Sequence, residues 1–166
     1  MTKYMPEGRN APLNCIYTPA MLSDAMERGK ILEAKAVMCS GEHDLTVELG
    51  NGITGIIPRE EGAIGIAEGQ VRDIALISRV NKPVCFTVTD IVQRNGKTTA
   101  MLSRREAQLI CMKEHISQLV CGDIIPARVT HLESFGAFCD IGCGIIALMP
   151  IDAISVSRIE HPKERF

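Results

Sequence analysis

With 166 residues, of which 46% are hydrophobic, the chain is long enough for one ordinary globular domain or two small ones. A net charge of −2 excludes a strongly basic nucleic-acid-binding protein, and an aromatic content of 4% predicts cores built from aliphatic side chains. The polar, proline-containing first residues are not a signal peptide, and no run of about 18 apolar residues predicts a membrane span. We therefore expect a cytoplasmic protein with no membrane partner.

The seven cysteines are odd in number, lie mostly inside apolar runs and include no C-x-x-C pair. Cys139 and Cys143 have the wrong spacing for a ribbon-type zinc site, and Cys39 with His43 is only a weak indication of a metal. Buried, reduced thiols that act as small apolar side chains explain the pattern better. We expect neither a metal nor another cofactor.

The first part of the chain, residues 1–28, is predicted to be a flexible leader followed by a helix. The leader extends to Tyr17 and shows no periodicity. Thr18 is a suitable N-cap, Pro19 suits the first helical position, and Gly29 ends the helix.

Residues 29–103 are rich in apolar runs with strand chemistry, which predict a first β unit. Gly50-Asn51-Gly52 and Arg94-Asn95-Gly96-Lys97 have the composition of hairpin turns between such strands. The runs with strand chemistry are 31–38, 45–49, 53–57, 71–80, 84–92 and 98–102.

A connecting segment, residues 104–121, is predicted to be helical to about Leu119. It follows Ser103 and carries Glu106 three residues later, which together form a capping box. We expect its apolar stripe to pack against the rest of the protein. The stripe consists of Leu109, Met112, Ile116 and Leu119.

Residues 122–166 begin with an apolar run at 124–129 and a polar bend at Thr130–Ser134. Two further strands are predicted at Phe135–Ile141 and Ile145–Met149, separated by a glycine-rich turn at 142–144. Gly136, between Phe135 and Phe138, is unusual inside a strand. It indicates a bulge, a tight bend, or the close approach of another backbone or a ligand.

The segment from Gly122 to Met149 resembles the S-one RNA-binding domain, the repeat of ribosomal protein S-one. The resemblance is carried by the opening glycine and acid, the Phe-Gly-Ala-Phe motif and the glycine-rich turn. The matching residues are Gly122, Asp123, Phe135, Gly136, Ala137, Phe138, Asp140, Gly142 and Gly144. The resemblance implies a five-stranded oligonucleotide-binding barrel.

An internal repeat appears when Gly52 is laid on Gly144 without gaps, which places Pro58 on Pro150 and Thr46 on Phe138. The first copy lacks the aromatic pair, and the second copy continues into a polar stretch instead of further strands. We therefore predict a mainly β protein of two such barrels in tandem, the second incomplete, with an N-terminal helix and a connecting helix. With its leader helix, the chain looks most like S-one homologues of Gram-positive bacteria.

The resemblance also implies a role for particular side chains. Phe135 and Phe138 are expected to stack on bases if both point outward from one side of the barrel, although plain strand alternation places them on opposite faces. In both copies, proline occupies the place where the family often has a histidine available to RNA. The other predicted RNA-binding residues are Arg128, His131, Lys97, Arg104 and Arg105.

Six basic residues and one acid lie between Arg79 and Arg105. This cluster is either a solvated face or a track for phosphates. No catalytic motif occurs, so we do not expect an enzyme or a small-molecule substrate. The first choice is a non-catalytic RNA-binding protein acting in translation, with single-stranded mRNA and the small ribosomal subunit as partners. The alternatives are a module that docks on the ribosome or a protein, and an RNA-binding appendage of a larger RNA-processing enzyme.

Overall fold

The computed structural model describes residues 4–9 and 16–166, which form a closed five-stranded barrel, a three-stranded sheet and short helices. The protein is mainly β, as predicted, and its architecture is consistent with domains of the oligonucleotide-binding type. Among the described residues, the first sheet closes into a barrel and the second remains a three-stranded sheet. The strands are β1 (Leu32–Cys39), β2 (Leu45–Glu48), β3 (Thr54–Ile57), β4 (Pro83–Arg94), β5 (Lys97–Ser103), β6 (Arg128–Glu133), β7 (Gly136–Asp140) and β8 (Ile146–Pro150).

The barrel has the strand order β1-β2-β3-β5-β4 and closes where β1 pairs with β4. All of its strand pairs are antiparallel except β3 with β5, which is parallel. Alternate residues such as Leu45, Val47 and Ile57 point into an aliphatic core around Phe86. The core therefore contains few aromatic rings, as the composition predicts.

The prediction of strand structure at 71–80 is wrong. This segment contains a short helix, α2 (Ile74–Ile77), flanked by turns. Leu76 is fully buried, whereas Ile74 and Ile77 are exposed. A closed barrel leaves no strand edge free for pairing, so the apolar run covers the barrel with one buried side chain.

The predicted first helix is confirmed as α1 (Pro19–Arg28). The Thr18 hydroxyl accepts a hydrogen bond from the Met21 amide at 3.3 Å, and Gly29 ends the helix in the left-handed conformation. Its buried side chains lie against the barrel core.

The connecting helix, α3 (Arg104–Glu114), is shorter than predicted and is followed by a 3-10 turn at Ile116–Gln118. The Ser103 hydroxyl caps it by accepting from the Glu106 amide at 2.8 Å. No reciprocal bond from the Glu106 side chain completes the capping box. Glu106 instead accepts from the Thr87 hydroxyl at 2.8 Å, so its carboxylate ties the helix to β4.

The predicted packing stripe is wrong for Leu109 and Met112, which are 43% and 37% exposed. It is confirmed for Ile116, which packs against the buried cluster that contains Cys111. The buried face carries Ala107, Gln108 and Cys111. This face meets the turn between β7 and β8, whose backbone carbonyls need hydrogen-bond donors. Small side chains and the amide of Gln108 therefore suit this face of α3 better than large apolar side chains do.

The second sheet has the order β6-β7-β8. Its first strand lies later in the sequence than predicted, since Ile124 is 97% exposed and β6 runs through the predicted polar bend. These polar residues are part of the strand because their backbone pairs with β7. Beyond β8, the chain forms α4 (Ile151–Ile154) and a 3-10 turn that contacts β6 and buries Pro162.

The repeat is confirmed for two of its three strands. Thr46 lies opposite Ile56 in the barrel, and Phe138 lies opposite Leu148 in the second sheet, which is the same register. The first strand of each copy requires a one-residue gap. Met38 pairs with Thr46, eight positions on, whereas His131 pairs with Phe138, seven positions on.

The prediction of a flexible leader is wrong for residues 4–9 and 16–17, and the remainder of residues 1–17 lies outside the described residues. The amide of Tyr17 donates to the carbonyl of Leu49 at 2.8 Å, beside the first glycine-rich turn. The carbonyl of Met5 accepts from the amide of Cys143 at 3.0 Å, in the second such turn. Both leader segments thus dock on equivalent places of the repeat.

We predict that the barrel resists local opening better than the second sheet, because every barrel strand has two neighbours while β6 and β8 are edges. Native-state hydrogen exchange on a monomeric sample should show slower exchange in 84–102 than in 145–149. Equal exchange in the two segments would contradict this. Protection of 145–149 that appears only on dimerisation would indicate strand exchange between copies.

Candidate nucleic-acid interface

Three rings form a continuous row on the second sheet. The centroids of Phe135 and Phe138 are 6.1 Å apart in an edge-to-face arrangement, and those of Phe138 and His131 are 6.2 Å apart. Phe135 is 53% exposed and Phe138 is half-buried. The two phenylalanines therefore lie side by side, despite a spacing of three residues that strand alternation would place on opposite faces.

The position of Phe135 in a turn explains this arrangement. The hairpin between β6 and β7 is closed by the two residues Ser134 and Phe135, so strand alternation begins only at Gly136. The carbonyl of Phe135 accepts from the amide of Ile151 at 2.9 Å, which anchors the turn. Gly136 lies so close to the strand β8 that a Cβ would overlap the carbonyl oxygen of Met149. The predicted close approach of another backbone is therefore present at Gly136.

A β-bulge in β6 adds the third ring. The register shifts between Val129 and His131, which leaves Thr130 as the extra residue. The Thr130 hydroxyl donates to the carbonyl of Phe138 at 3.1 Å. Without the bulge, Thr130 would lie opposite Phe138. Because of the bulge, the imidazole of His131 lies beside the phenyl ring instead of the hydroxyl of Thr130.

Leu148 extends the row, because it lies opposite Phe138 and is exposed. We call His131, Phe135, Phe138 and Leu148 the ring surface. On the other side of the same sheet, Ala137 and Cys139 are buried. The sheet thus presents large apolar side chains outward, where flat bases can reach them, and small ones inward.

The equivalent positions of the barrel carry Met38, Thr46 and Ile56 in place of His131, Phe138 and Leu148. The β1 strand has a bulge at the matching place, between Ala36 and Met38. The two copies therefore share the β-bulge in their first strand, but they differ in the side chains beside it. The second copy carries aromatic rings at this place, and the first copy carries Met38, Thr46 and Ile56.

The predicted cations are distributed over both halves of the molecule. Arg128 is exposed on β6, the strand that also carries His131, and its Nη1 donates to the carbonyl of Glu7 at 3.0 Å. Lys97 is exposed in the β4–β5 hairpin. Arg105, in the first turn of α3, is bonded to Glu68 at 3.0 Å. The structure brings Arg128 and His131 onto one strand with the rings nearby, whereas Lys97 and Arg105 belong to the first unit.

The prediction that Arg104 contacts RNA needs correction, because this side chain is 5% exposed. Its Nε and Nη2 donate to the two carboxylate oxygens of Glu7 at 2.8 and 3.0 Å, and its Nη1 donates to the carbonyl of Gly62 at 3.1 Å. A bidentate, buried pair of this kind fixes the guanidinium in the fold. Arg104 is therefore a structural residue.

Glu7 connects both halves of the protein. Its carboxylate also accepts from the amide of Cys85 at 3.0 Å and from Arg79 at 3.3 Å, and its own amide donates to Asp140 at 2.8 Å. Burial alone would raise the pKa of Glu7, but the charge of Arg104 and the hydrogen bonds lower it below its usual value of 4.5. Glu7 is therefore a carboxylate at neutral pH.

The second glycine-rich turn docks on this ion pair. Gly144 lies against Arg104 and Glu7 so closely that a Cβ would overlap both side chains, and its φ of +75° also favours glycine. The Asp140 carboxylate accepts from the amides of Gly142 and Gly144 at 2.9 and 3.1 Å, and burial raises its pKa. Gln108 of α3 donates to the carbonyl of Gly144 at 3.3 Å.

Three cysteines are buried at the same junction: Cys85, Cys111 and Cys143. Cys143 hydrogen-bonds the Cys85 thiol and favours its thiolate, but burial and the nearby carboxylates of Glu7 and Glu33 raise the pKa of Cys85 to about 11. The pKa values of Cys111 and Cys143 are also raised. These thiols stay protonated and fill the junction as small apolar groups. Within residues 4–9 and 16–166, no group of three or more His, Cys, Asp or Glu side chains has an arrangement that would hold a metal.

The sequence reasoning missed Glu7, whose partners Arg104 and Asp140 lie 97 and 133 positions away. No local pattern signals such a contact. Lys82 is one of the six basic residues between Arg79 and Arg105, and it lies in the cleft between the two halves, a position that the sequence does not indicate. In the described part of the chain, no helix has the length and apolar content that crossing a membrane requires.

No family model matches the chain. Three curated proteins, each named as a protein of the small ribosomal subunit, are similar to it. "Small ribosomal subunit protein bS1" of Leuconostoc lactis is 29% identical over 116 residues, which covers 69% of this chain and 25% of the relative. The "bS1 homolog" of Bacillus cereus is 28% identical over 179 aligned positions, covering 86% and 45%. The bS1 protein of Rhodopseudomonas palustris is 29% identical over 123 residues, covering 72% and 20%.

The chain is therefore similar to S-one proteins at the level of distant relatives. It spans less than half the length of each of these three.

We predict that Glu7→Gln lowers the free energy of unfolding at neutral pH by about 3–5 kcal/mol, because it leaves the Arg104 charge buried without its partner. The lowered pKa means that the Glu7 contribution is complete above 4.5 and is lost as the pH falls through the still lower folded-state pKa. Protonation removes the same charge as the substitution. The difference between the two proteins should therefore disappear in acid.

Urea unfolding of both proteins from neutral to acidic pH measures this difference. Burial, the largest cause of the raised pKa values of Asp140 and Glu33, is common to both proteins, so most of their effect on the pH dependence cancels. The smaller contribution that the charge of Glu7 makes to these two pKa values is absent from the variant. Glu48→Gln, on an exposed carboxylate of β2, is the matched control and should change little. A Glu7→Gln protein as stable as the control at neutral pH would contradict the account.

Proposed function

We propose that the protein binds single-stranded RNA without catalysis, through the ring surface of its second sheet. The observation that carries the proposal is the uninterrupted row of Phe135, Phe138 and His131, with centroids 6.1 and 6.2 Å apart. Stacking of a base on an aromatic ring contributes about 1–3 kcal/mol and tolerates any base, since every base has a flat face. A row of this length offers places for two or three successive bases.

Phosphates are bound by cations around the rings. Arg128 is exposed three residues before His131 and is held in place by the Glu7 carbonyl. Lys97 and Arg105 are predicted to contact a longer RNA where it passes the first unit. Pro150 occupies the place where the S-one family often has a histidine available to RNA. His131 supplies an imidazole next to Phe138 instead.

The biological setting that we propose is translation, with mRNA bound at the small ribosomal subunit in the cytoplasm. The names of the three relatives support this setting. We further propose that the protein is of the Gram-positive type with a leader helix. The support is α1 and the relative from Bacillus cereus, whose alignment covers 86% of the chain.

A second candidate function is docking on a protein, and it concerns the first unit. Met38, Thr46 and Ile56 occupy the places of the rings in the barrel, and Met38 is exposed. An exposed thioether suits adaptable protein contacts better than base stacking. The barrel would then attach the protein to the ribosome while the second sheet holds RNA.

We predict that Phe135→Ala weakens binding of a short oligouridine by about five- to 150-fold, which corresponds to the loss of one stacked base. Because Phe135 is exposed, the melting temperature should change little. Phe138→Ala should lower both affinity and stability, since its ring is half-buried. Fluorescence anisotropy and thermal unfolding measure the two effects.

Thr46→Ala is the matched control, because Thr46 holds the place of Phe138 in the barrel. It should leave RNA affinity unchanged. If Phe135→Ala binds RNA as tightly as the wild type, the stacking surface is refuted and the docking function becomes the better account. A fully buried phenylalanine would instead cost about 3–5 kcal/mol of stability on truncation.

A further inference from the structure

A cleft of about 580 Å³ separates the barrel from the second sheet. One wall is formed by α2 and the residues around it, including Val71 and Ala75, and the other by β6 and the start of β8. Arg79 and Lys82 lie at the barrel side, where a smaller cavity of about 240 Å³ continues towards Arg128. The two cavities share Arg79, Lys82 and Thr130 as lining residues and thus form one groove.

The groove continues the ring surface. His131 stands next to Phe138 in the row of rings and also lines the cleft, together with its neighbour Thr130. Arg128, on the same strand, lines the far part. A strand of RNA that leaves the rings along β6 therefore enters the groove directly.

Charge and polarity in the groove are arranged for a nucleotide. The carboxylates of Glu7 and Asp140 are 3% and 2% exposed, and backbone amides and arginines occupy their oxygens. The cations at the opening, Lys82 and Arg128, are exposed. Aliphatic side chains, among them Val71 and Ile145, line the larger cavity. A phosphate thus meets positive charge at the opening, while a base meets an apolar wall.

We propose that this groove is a second nucleotide subsite of the RNA-binding surface. The inference rests on the proposed function. Lys82 and Arg128 hold a phosphate, and the base enters the cleft between α2 and the start of β8. Glu7 positions the site, because its carboxylate binds Arg79 and its carbonyl binds Arg128.

The test compares two oligouridines, of about four and about twelve nucleotides, chosen to occupy the rings alone or the rings and the groove. Lys82→Gln should weaken binding of the longer RNA and lower its salt slope by about 0.7, the value for one phosphate contact on a single strand. Binding of the shorter RNA should stay unchanged. Lys30→Gln, which removes the same charge after α1 and outside the groove, is the matched control.

A second variant tests the apolar wall without changing charge. Ala75→Phe places a larger side chain in the cleft from α2, at a partly exposed position that lines it. It should weaken binding of the longer RNA while leaving the salt slope and the shorter RNA unaffected. Circular dichroism of each variant confirms that the fold is intact.

The outcomes separate the two proposals. If the wild type binds neither RNA, or if Phe135→Ala binds both as tightly as the wild type, the proposed function itself fails. If Phe135→Ala weakens both RNAs but Lys82→Gln behaves like Lys30→Gln and Ala75→Phe behaves like the wild type, the groove is overturned as a subsite and the ring surface stands.

Discussion

The buried ion pair between Glu7 and Arg104 is the constraint on which the arrangement of the two halves depends. Glu7 belongs to the leader, Arg104 to the start of α3, and Gly144 of the second sheet lies directly against both. Replacing a buried pair by apolar groups is often neutral, whereas removing one partner is costly. We therefore expect the pair to act mainly by fixing the geometry in which the three segments meet.

This geometry reaches the candidate interface through two contacts. The Glu7 amide binds Asp140 at the end of β7, and the Glu7 carbonyl binds Arg128 at the start of β6. Both ends of the hairpin that carries the rings are thereby tied to the leader. In the part of the chain that the structure describes, β6, β7 and β8 form an open sheet, so we expect docking on the first unit to contribute to its order. Glu7, which lies far from the ring surface in sequence, thus helps to set the position of that surface.

Within the second sheet, the ring surface depends on local departures from regular strand geometry. A two-residue turn places Phe135 beside Phe138, and one extra residue, Thr130, places His131 on the other side. The barrel has the corresponding bulge but carries Met38 and Thr46 at the matching places. One scaffold thus supports two different surfaces, which agrees with the general rule that function resides in side chains placed on a fold.

Local patterns predicted much of the fold. The cap at Thr18, the turn at 94–97 and the repeat are signals within a few residues or within one strand pair, and the structure shows each of them. The Phe-Gly-Ala-Phe motif also indicated the two phenylalanines of the ring surface. Long-range effects were not predictable in this way. The apolar run at 71–80 contains a short helix instead of a strand, because the closed barrel offers no free edge for pairing. Arg104 is buried because it forms an ion pair with Glu7 of the leader.

Binding of RNA at the ring surface can be tested by photo-crosslinking the whole chain to single-stranded RNA that contains 4-thiouridine, followed by mass spectrometry of the crosslinked peptides. We expect crosslinks in the segment 128–138, which carries Arg128, His131 and both phenylalanines. The matching segment of the barrel, 36–46, should give none. Crosslinks confined to 36–46, or their absence from 128–138 under conditions where the RNA is bound, would contradict it.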